Sequence, residues 1–305
     1  MKILVTGGNG FIGKYLVKNL LERGNIVTIF DDFSNSKNLD LLKKDYKKFL
    51  IIKGDITNNQ QVENAIEDNE IVIHLAAKIS VDESIKNPKE TFRINVEGTK
   101  NILYACKKFN VKKLIAASSA SVYGEGIQGI KMKENSKINP ISPYGESKYK
   151  MEKEIIKFSL EHGLEYVILR FFNIFGFGQS AEYSGVITKF LEKIREEKSL
   201  EIFGDGMQTR DFVSVHDVVN SIDNAMSNGK NGVYNIASGN FVTIKELADL
   251  MISFSGKKLG IEFLDSKKGD IKFSQADISL AQKEIKYSPK FDLKEIKNLI
   301  KDNMI

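Results

Sequence analysis

Apolar residues in this chain come in short unbroken runs, and between the runs they recur at helical spacing. The runs are Ile3-Leu4-Val5, Ile26-Val27-Thr28-Ile29-Phe30, Phe49-Leu50-Ile51-Ile52, Ile71-Val72-Ile73-His74-Leu75, Leu114-Ile115-Ala116-Ala117 and Tyr166-Val167-Ile168-Leu169. Each has the length of a strand, and none alternates apolar with polar, which is the pattern of strands covered on both faces. Helical patterns fall at Lys14 to Arg23, about 89–110 and about 143–162. Strand–helix alternation implies right-handed crossovers and an α/β fold, a Rossmann-type doubly wound parallel sheet. After residue 171 the rhythm breaks. Gly176, Gly178, Gly185, Gly204 and Gly206 mark irregular loops, followed by the strand-like Val233-Tyr234-Asn235-Ile236 and helices near 243–256 and 292–302. The expected organisation is a nucleotide-binding domain of residues 1–170 and 211–238, with a smaller mixed C-terminal substrate lobe of residues 171–210 and 239–305.

In such sheets ligands bind beyond the carboxyl ends of the strands. Gly7, Asp31, Asp55, Ala76-Ala77 and Ser118-Ser119 all fall at those ends. The first run enters Gly7-Gly8-Asn9-Gly10-Phe11-Ile12-Gly13 and then a helix. Gly7 allows the tight turn, Gly10 lets the backbone approach a pyrophosphate seated on the helix N-terminus, and Gly13 allows close helix–strand packing. A strand before, a helix after and an acid ending the next strand are the context this loop requires. That acid is Asp31, followed by Asp32. A carboxylate there accepts hydrogen bonds from ribose hydroxyls and repels a 2′-phosphate, so NAD is expected rather than NADP.

A second constellation lies mid-chain. Tyr144 and Lys148 are four residues apart on a helix face, and Ser119 closes an apolar strand upstream. Tyrosine is a poor base at its ordinary pKa of about 10, and a nearby ammonium lowers that value. Tyr144 with Lys148 is therefore expected to act as a general base on an alcohol.

Composition narrows the classes. The chain has 305 residues, with 45 basic and 40 acidic side chains and a formal charge of +5. The lysines are spread along the whole length, which argues against a nucleic-acid footprint. Cys106 is the one cysteine, so an internal disulfide is excluded and a reducing compartment is expected. His74, His162 and His216 are scattered without ligand spacing, and no metal is expected. No signal-peptide pattern opens the sequence and no apolar run reaches spanning length, so a cytoplasmic protein without membrane association is expected.

On these motifs the chain resembles an extended short-chain dehydrogenase/reductase of the nucleotide-sugar epimerase group, similar to UDP-glucose 4-epimerases. The resemblance runs over nearly the whole length. It is carried by the TGGNGFIG loop, FDDFSNSKN, GDI at 54–56, HLAA at 74–77, SSASVYG at 118–124 and SPYGESK at 142–148. RFFNIFG at 170–176, YSGVITKF at 183–190 and GDGMQTRDFVSVHDV at 204–218 continue it. The resemblance implies a catalytic set of Ser119, Tyr144 and Lys148, with Lys148 also holding the nicotinamide ribose. It implies cofactor contacts at Gly7, Gly10, Phe11, Ile12, Gly13, Asp31, Asp32, Asn35, Asp55, Ile56, Leu75, Ala76 and Ala77. It implies substrate contacts at Asn173, Arg210, Lys267 and Ser274, and a homodimer packed through the helices near 89–110 and 143–162.

Two departures bear on the reaction. The usual Arg-x-Gly-Asp segment reads Lys267-Lys268-Gly269-Asp270, which supplies charge without the guanidinium fork. Related 4,6-dehydratases carry an Asp-Glu pair after the Ser119 position, and decarboxylases a glutamate. Here the residues are Ala120-Ser121, and neither can move those protons. The reading is NAD-dependent C4 epimerisation of a UDP-hexose, plain or N-acetylated, through a 4-keto intermediate. The alternatives are a nucleotide-sugar 4-keto-reductase or dehydratase, or a non-catalytic nucleotide-binding protein.

Overall fold

The computed structural model describes residues 1–34, 49–179, 185–266 and 271–303. Asn35 and Lys267 lie outside these described residues. Six strands in the first part are β1 (Lys2–Thr6), β2 (Ile26–Asp31), β3 (Phe49–Lys53), β4 (Ile71–His74), β5 (Lys113–Ser119) and β6 (Glu165–Phe171). They form a parallel sheet in the order β6-β5-β4-β1-β2-β3, and the late strand Gly232–Ile236 adds itself beside β6. Order reverses between β1 and β4, the switch point at which such a sheet opens a crevice.

The unbroken apolar runs have a direct cause. Ile3, Val5, Ile29, Ile73, Ile115 and Leu169 enter one core, packed beneath the helices Phe11–Glu22 and Val215–Asn228. Their neighbours Leu4, Phe30, Val72, Leu114 and Ile168 enter the opposite core, beneath Asn59–Ile66, Gly98–Lys108 and Pro143–His162. Successive strand residues point to opposite faces, and here both faces are dry.

Several expected boundaries moved. The first helix begins at Phe11 rather than Lys14. The helix expected over 89–110 is three pieces, Pro88–Phe92, a π turn Arg93–Glu97 and Gly98–Lys108. The part after 171 holds the helix Val186–Arg195 where irregular loops were expected, and the helix Val215–Asn228, for which no helix was expected, within the 211–238 stretch.

The C-terminal part has a third apolar cluster, which gathers Phe190, Ile202, Phe212, Leu247, Met251 and Leu299 among others. Around it lie three small sheets. Asn173–Phe175 pairs with Phe212–Ser214, Ile261–Leu264 pairs with Leu200–Phe203, and Thr209–Arg210 sits between Val242–Thr243 and Phe273–Ser274. No described helix is long and apolar enough to cross a membrane.

Candidate active site

A cavity of about 450 Å³ runs along the carboxyl ends of the sheet. Gly7, Asp31, Asp55, Ala76, Ala77, Ser118, Ser119, Tyr144 and Lys148 all line it, as do Gly10, Phe11, Ile12, Gly13, Asp32, Ile56 and Leu75. Residues scattered over the first half of the chain are thus brought to one site by the strand ends of the sheet and the helices packed on it.

The glycine loop is built by close approach. Gly7 has φ +69°, and a Cβ there would fall 2.8 Å from the Ala76 nitrogen. A Cβ on Gly13 would fall 2.3 Å from the Gly7 carbonyl oxygen. The helix that follows has Gly10 as its N-cap residue, so no side chain caps it, and no acid stands in its first turn. Its end therefore presents amide groups and a positive dipole end to the cleft, which suits an anion. Asp31 sits opposite. Its Oδ2 accepts from the Asn9 amide at 2.9 Å and its Oδ1 from the Phe33 amide at 2.8 Å. Burial raises its pKa, against the pull of these two bonds. The loop, the open helix end and the carboxylate together fit a dinucleotide.

At the other end of the cavity stands the Pro143–His162 helix. Ser142 caps it by accepting from the Gly145 amide at 3.1 Å, Pro143 opens it, and Gly163 closes it with φ +73°. Gly145 lets the first turn lie against the segment after β5, since a Cβ there would fall 2.6 Å from the Ser121 carbonyl oxygen. Tyr144 donates its backbone N–H to Ser84 Oγ at 3.1 Å. The π turn presents Asn95, whose Oδ1 accepts from the Lys78 amide at 2.8 Å. Asn95 Nδ2 donates to the Lys78 carbonyl at 2.9 Å and to Ser147 Oγ at 2.9 Å. Lys78 and Ile79 also line the cavity, and sequence reasoning passed over both.

Lys148 is buried, and its Nζ donates to the Ala117 carbonyl at 2.8 Å. Burial lowers its pKa to about 8, and the Glu152 carboxylate works against that shift. The phenol of Tyr144 corrects an expectation. Its pKa is raised rather than lowered, because burial outweighs the hydrogen bond with Ser119. Lys148 Nζ is directed at a backbone carbonyl, and the phenol keeps the hydrogen bond with Ser119. His74 is buried behind it, with Nδ1 2.7 Å from Thr6 Oγ1 and Nε2 3.0 Å from Thr99 Oγ1. Burial first, and the Lys148 charge second, push the His74 pKa down to about 3.

Asn173, Arg210 and Ser274 do not line this cavity. They form a second group, held by strand register. Phe212 pairs with Asn173, and Ser274 pairs with Arg210. Asn173 Nδ2 donates to the Asp211 carbonyl at 3.1 Å. Arg210 borders another cavity, of about 400 Å³, beside residues 289–294. Ser274 is only 7% exposed. The cofactor cavity reaches toward this group through Phe171, Phe172 and Ile174 on either side of Asn173.

Comparison with known proteins agrees with this architecture. Residues 3–237 match the NAD dependent epimerase/dehydratase family. A Methanocaldococcus jannaschii protein with a provisional assignment as a UDP-glucose 4-epimerase is 38% identical, over 99% of both chains. Among solved structures, UDP-glucose 4-epimerase from Thermotoga maritima with UDP-glucose superposes with a TM-score of 0.94 at 34% identity, covering 99% of this chain and 98% of that one. UDP-N-acetylglucosamine 4-epimerase from Methanobrevibacter ruminantium, in complex with UDP-N-acetylmuramic acid, gives a TM-score of 0.92 at 35% identity, covering 99% and 96%.

Proposed function

Since the chain belongs to the NAD dependent epimerase/dehydratase family, we propose that its own reaction is C4 epimerisation of a UDP-hexose. The observation that carries this reading is the convergence of Ser119, Tyr144 and Lys148 on the cofactor cavity, with Ala120-Ser121 where dehydration would need an acid and a base. Two of the solved neighbours described above are 4-epimerases of UDP-sugars, which favours UDP as the carrier nucleotide.

Bound NAD supplies the hydride acceptor and donor and, in its oxidised form, a positive charge that favours the Tyr144 phenolate. The chain does the rest. The first-helix amides and Asp31 hold the dinucleotide, and Lys148 holds the nicotinamide ribose. Tyr144 takes the proton from the sugar 4′-hydroxyl while Ser119 hydrogen-bonds the same oxygen. Asn173 and Arg210 anchor the diphosphate as the 4-keto ring turns over and is reduced on its other face. A guanidinium at 210 suits that task because it grips phosphate oxygens bidentately. In this reading residues 1–170 and 211–238 form the cofactor domain, and the remainder forms the sugar lobe. Two copies pair through Gly98–Lys108 and Pro143–His162, whose Tyr104 and Leu160 are 61% and 85% exposed.

Purified protein incubated with UDP-glucose, UDP-galactose and their N-acetylated forms, with no cofactor added, should interconvert C4 configuration by proton NMR. Tyr144→Phe should lower turnover by about 10²–10⁴ with substrate binding little changed. A product that accumulates at the 4-keto stage, or full turnover in Tyr144→Phe, would sink the reading.

A further inference from the structure

Tyr144, Lys148 and Glu152 stand one above another on successive turns of the Pro143–His162 helix. The mechanism above uses the first two. Glu152 is buried, and its carboxylate is gripped at both oxygens. Oε1 accepts from the Ser118 hydroxyl at 2.5 Å and from Arg170 Nε at 2.9 Å, and Oε2 accepts from Arg170 Nη2 at 2.7 Å. Ser118 is the penultimate residue of β5 and Arg170 lies in β6, so one carboxylate ties the helix to two neighbouring strands. Arg170 is itself fixed, with Nη1 donating to the Tyr123 hydroxyl at 2.8 Å and to the Glu134 carbonyl at 3.0 Å.

Lys148 Nζ makes the matching tie one turn earlier, to the Ala117 carbonyl at 2.8 Å. Residues 117 and 118 are therefore each bolted to the helix, and the next residue is Ser119. Apolar side chains of similar volume hold a helix on a sheet at least as well as a buried ion pair does. An ion pair at this place therefore implies work that charge and directed hydrogen bonds perform.

We infer that Glu152 is a positioning residue for the reaction, whose carboxylate fixes the register between Ser119 and the Tyr144–Lys148 face and sets a negative charge one helical turn from the Lys148 ammonium. The inference rests on the assignment of Tyr144 and Lys148 made above. The groups facing Lys148 support it. Burial drives its proton off, and Glu152 opposes that. Tyr144 on the same helix has its phenol pKa raised by burial. His74 on β4 is held neutral by burial and by Lys148 itself. Arg170, on β6, lies behind the carboxylate that neutralises it. With Glu152 made neutral, the cation of Arg170 would reach Lys148 uncompensated, and both effects would push the ammonium toward its neutral form.

The test follows the titration of Lys148 directly, by NMR of protein carrying isotope-labelled lysine, with the Lys148→Met spectrum identifying its signal. In Glu152→Gln, Lys148 should lose its proton about one pH unit lower than in the parent protein. The alkaline limb of kcat/KM for the UDP-hexose should move with it. Ser118→Ala keeps the ion pair, so it should leave the Lys148 titration in place and lower kcat about tenfold at constant KM. If Glu152→Gln does not fold, Glu152→Gln/Arg170→Met removes both charges, and Lys148 should still titrate lower than in the parent. A Lys148 titration that coincides with the parent in the folded variant overturns the inference, as does full kcat in Ser118→Ala. Full turnover in Tyr144→Phe would instead overturn the base assignment and leave the Lys148 titration standing on its own.

Discussion

Around the cofactor cavity, every strand-end residue belongs to one parallel sheet; in the C-terminal part, Asn173, Arg210 and Ser274 come from three two- or three-residue strands in two small sheets. The first arrangement is set by topology. Strand ends of a doubly wound sheet must converge, whatever their side chains. The second is set by local ties. Asp211, between Arg210 and Phe212, accepts from the Ser238 amide at 2.8 Å, the Ser238 hydroxyl at 2.7 Å and the Gly239 amide at 3.0 Å. A change in the first region should therefore affect every ligand, whereas a change in the second should be felt by the sugar nucleotide alone.

The strongest way to break this contrast is Gly13→Val. Its Cβ would strike the Gly7 carbonyl oxygen, which belongs to backbone and cannot move aside. Overpacking of about 1–3 kcal/mol should lower the NAD(H) retained by purified protein by about tenfold or more, and turnover should fall with it. Retention of a full cofactor complement would show that the loop is not its seat. Next in size is Arg210→Met. Loss of charged hydrogen bonds worth about 1.5–3 kcal/mol should raise KM by about 10–100-fold, while the protein keeps its NAD(H) on purification. Loss of cofactor in this variant would erase the division between the regions.

Ser274→Tyr sharpens the contrast within the second region. Ser274 is buried in register with Arg210, not facing solvent. A ring there should suppress epimerisation of N-acetylated UDP-hexoses while sparing UDP-glucose, with a difference of about 1–3 kcal/mol in kcat/KM. Equal effects on both substrates would remove Ser274 from the sugar pocket.

The smallest effect is on stability and belongs to the first region. His74 has a folded pKa of about 3, below the ordinary 6.5, because burial disfavours its cation. The unfolded chain therefore binds the extra proton first, and stability falls as pH drops from 6.5 toward 3. Between pH 6.5 and 5.5 the parent protein should lose up to about 1 kcal/mol that His74→Gln does not, as read by denaturant titration. Parallel curves for the two proteins would show that His74 is not buried in its neutral form.

Much of the first region was legible because its signals are local or topological. The paired dry faces write apolar runs, and Ser142, Pro143 and Gly163 mark both ends of the helix that carries Tyr144. The π turn at 93–97 was hidden, because it answers to Asn95 bonding Lys78 and Ser147 across the fold. The Val215–Asn228 helix was missed because Asp217, Ser221 and Asp223 are buried among its apolar residues and blur the stripe. The spacing of Tyr144 and Lys148 was visible, yet the direction of the phenol pKa was not, since it depends on burial that no spacing records. Glu152 and Arg170 are eighteen residues apart in sequence, and only the packing of helix on sheet brings them together.

The late strand Gly232–Ile236 has a consequence for how the chain is made. It pairs with β6 along its whole length, and the Phe172 amide donates to the Ile236 carbonyl at 3.0 Å. While the ribosome is still translating the stretch between them, β6 waits with one edge unpaired, at about 5–20 residues added per second. An open, apolar edge is an invitation to other nascent chains. The cofactor site can thus be nearly complete on a growing polypeptide whose sheet is still unsealed, so slow translation or a stall before residue 236 is the stage of biosynthesis at which this protein is most exposed to misassembly.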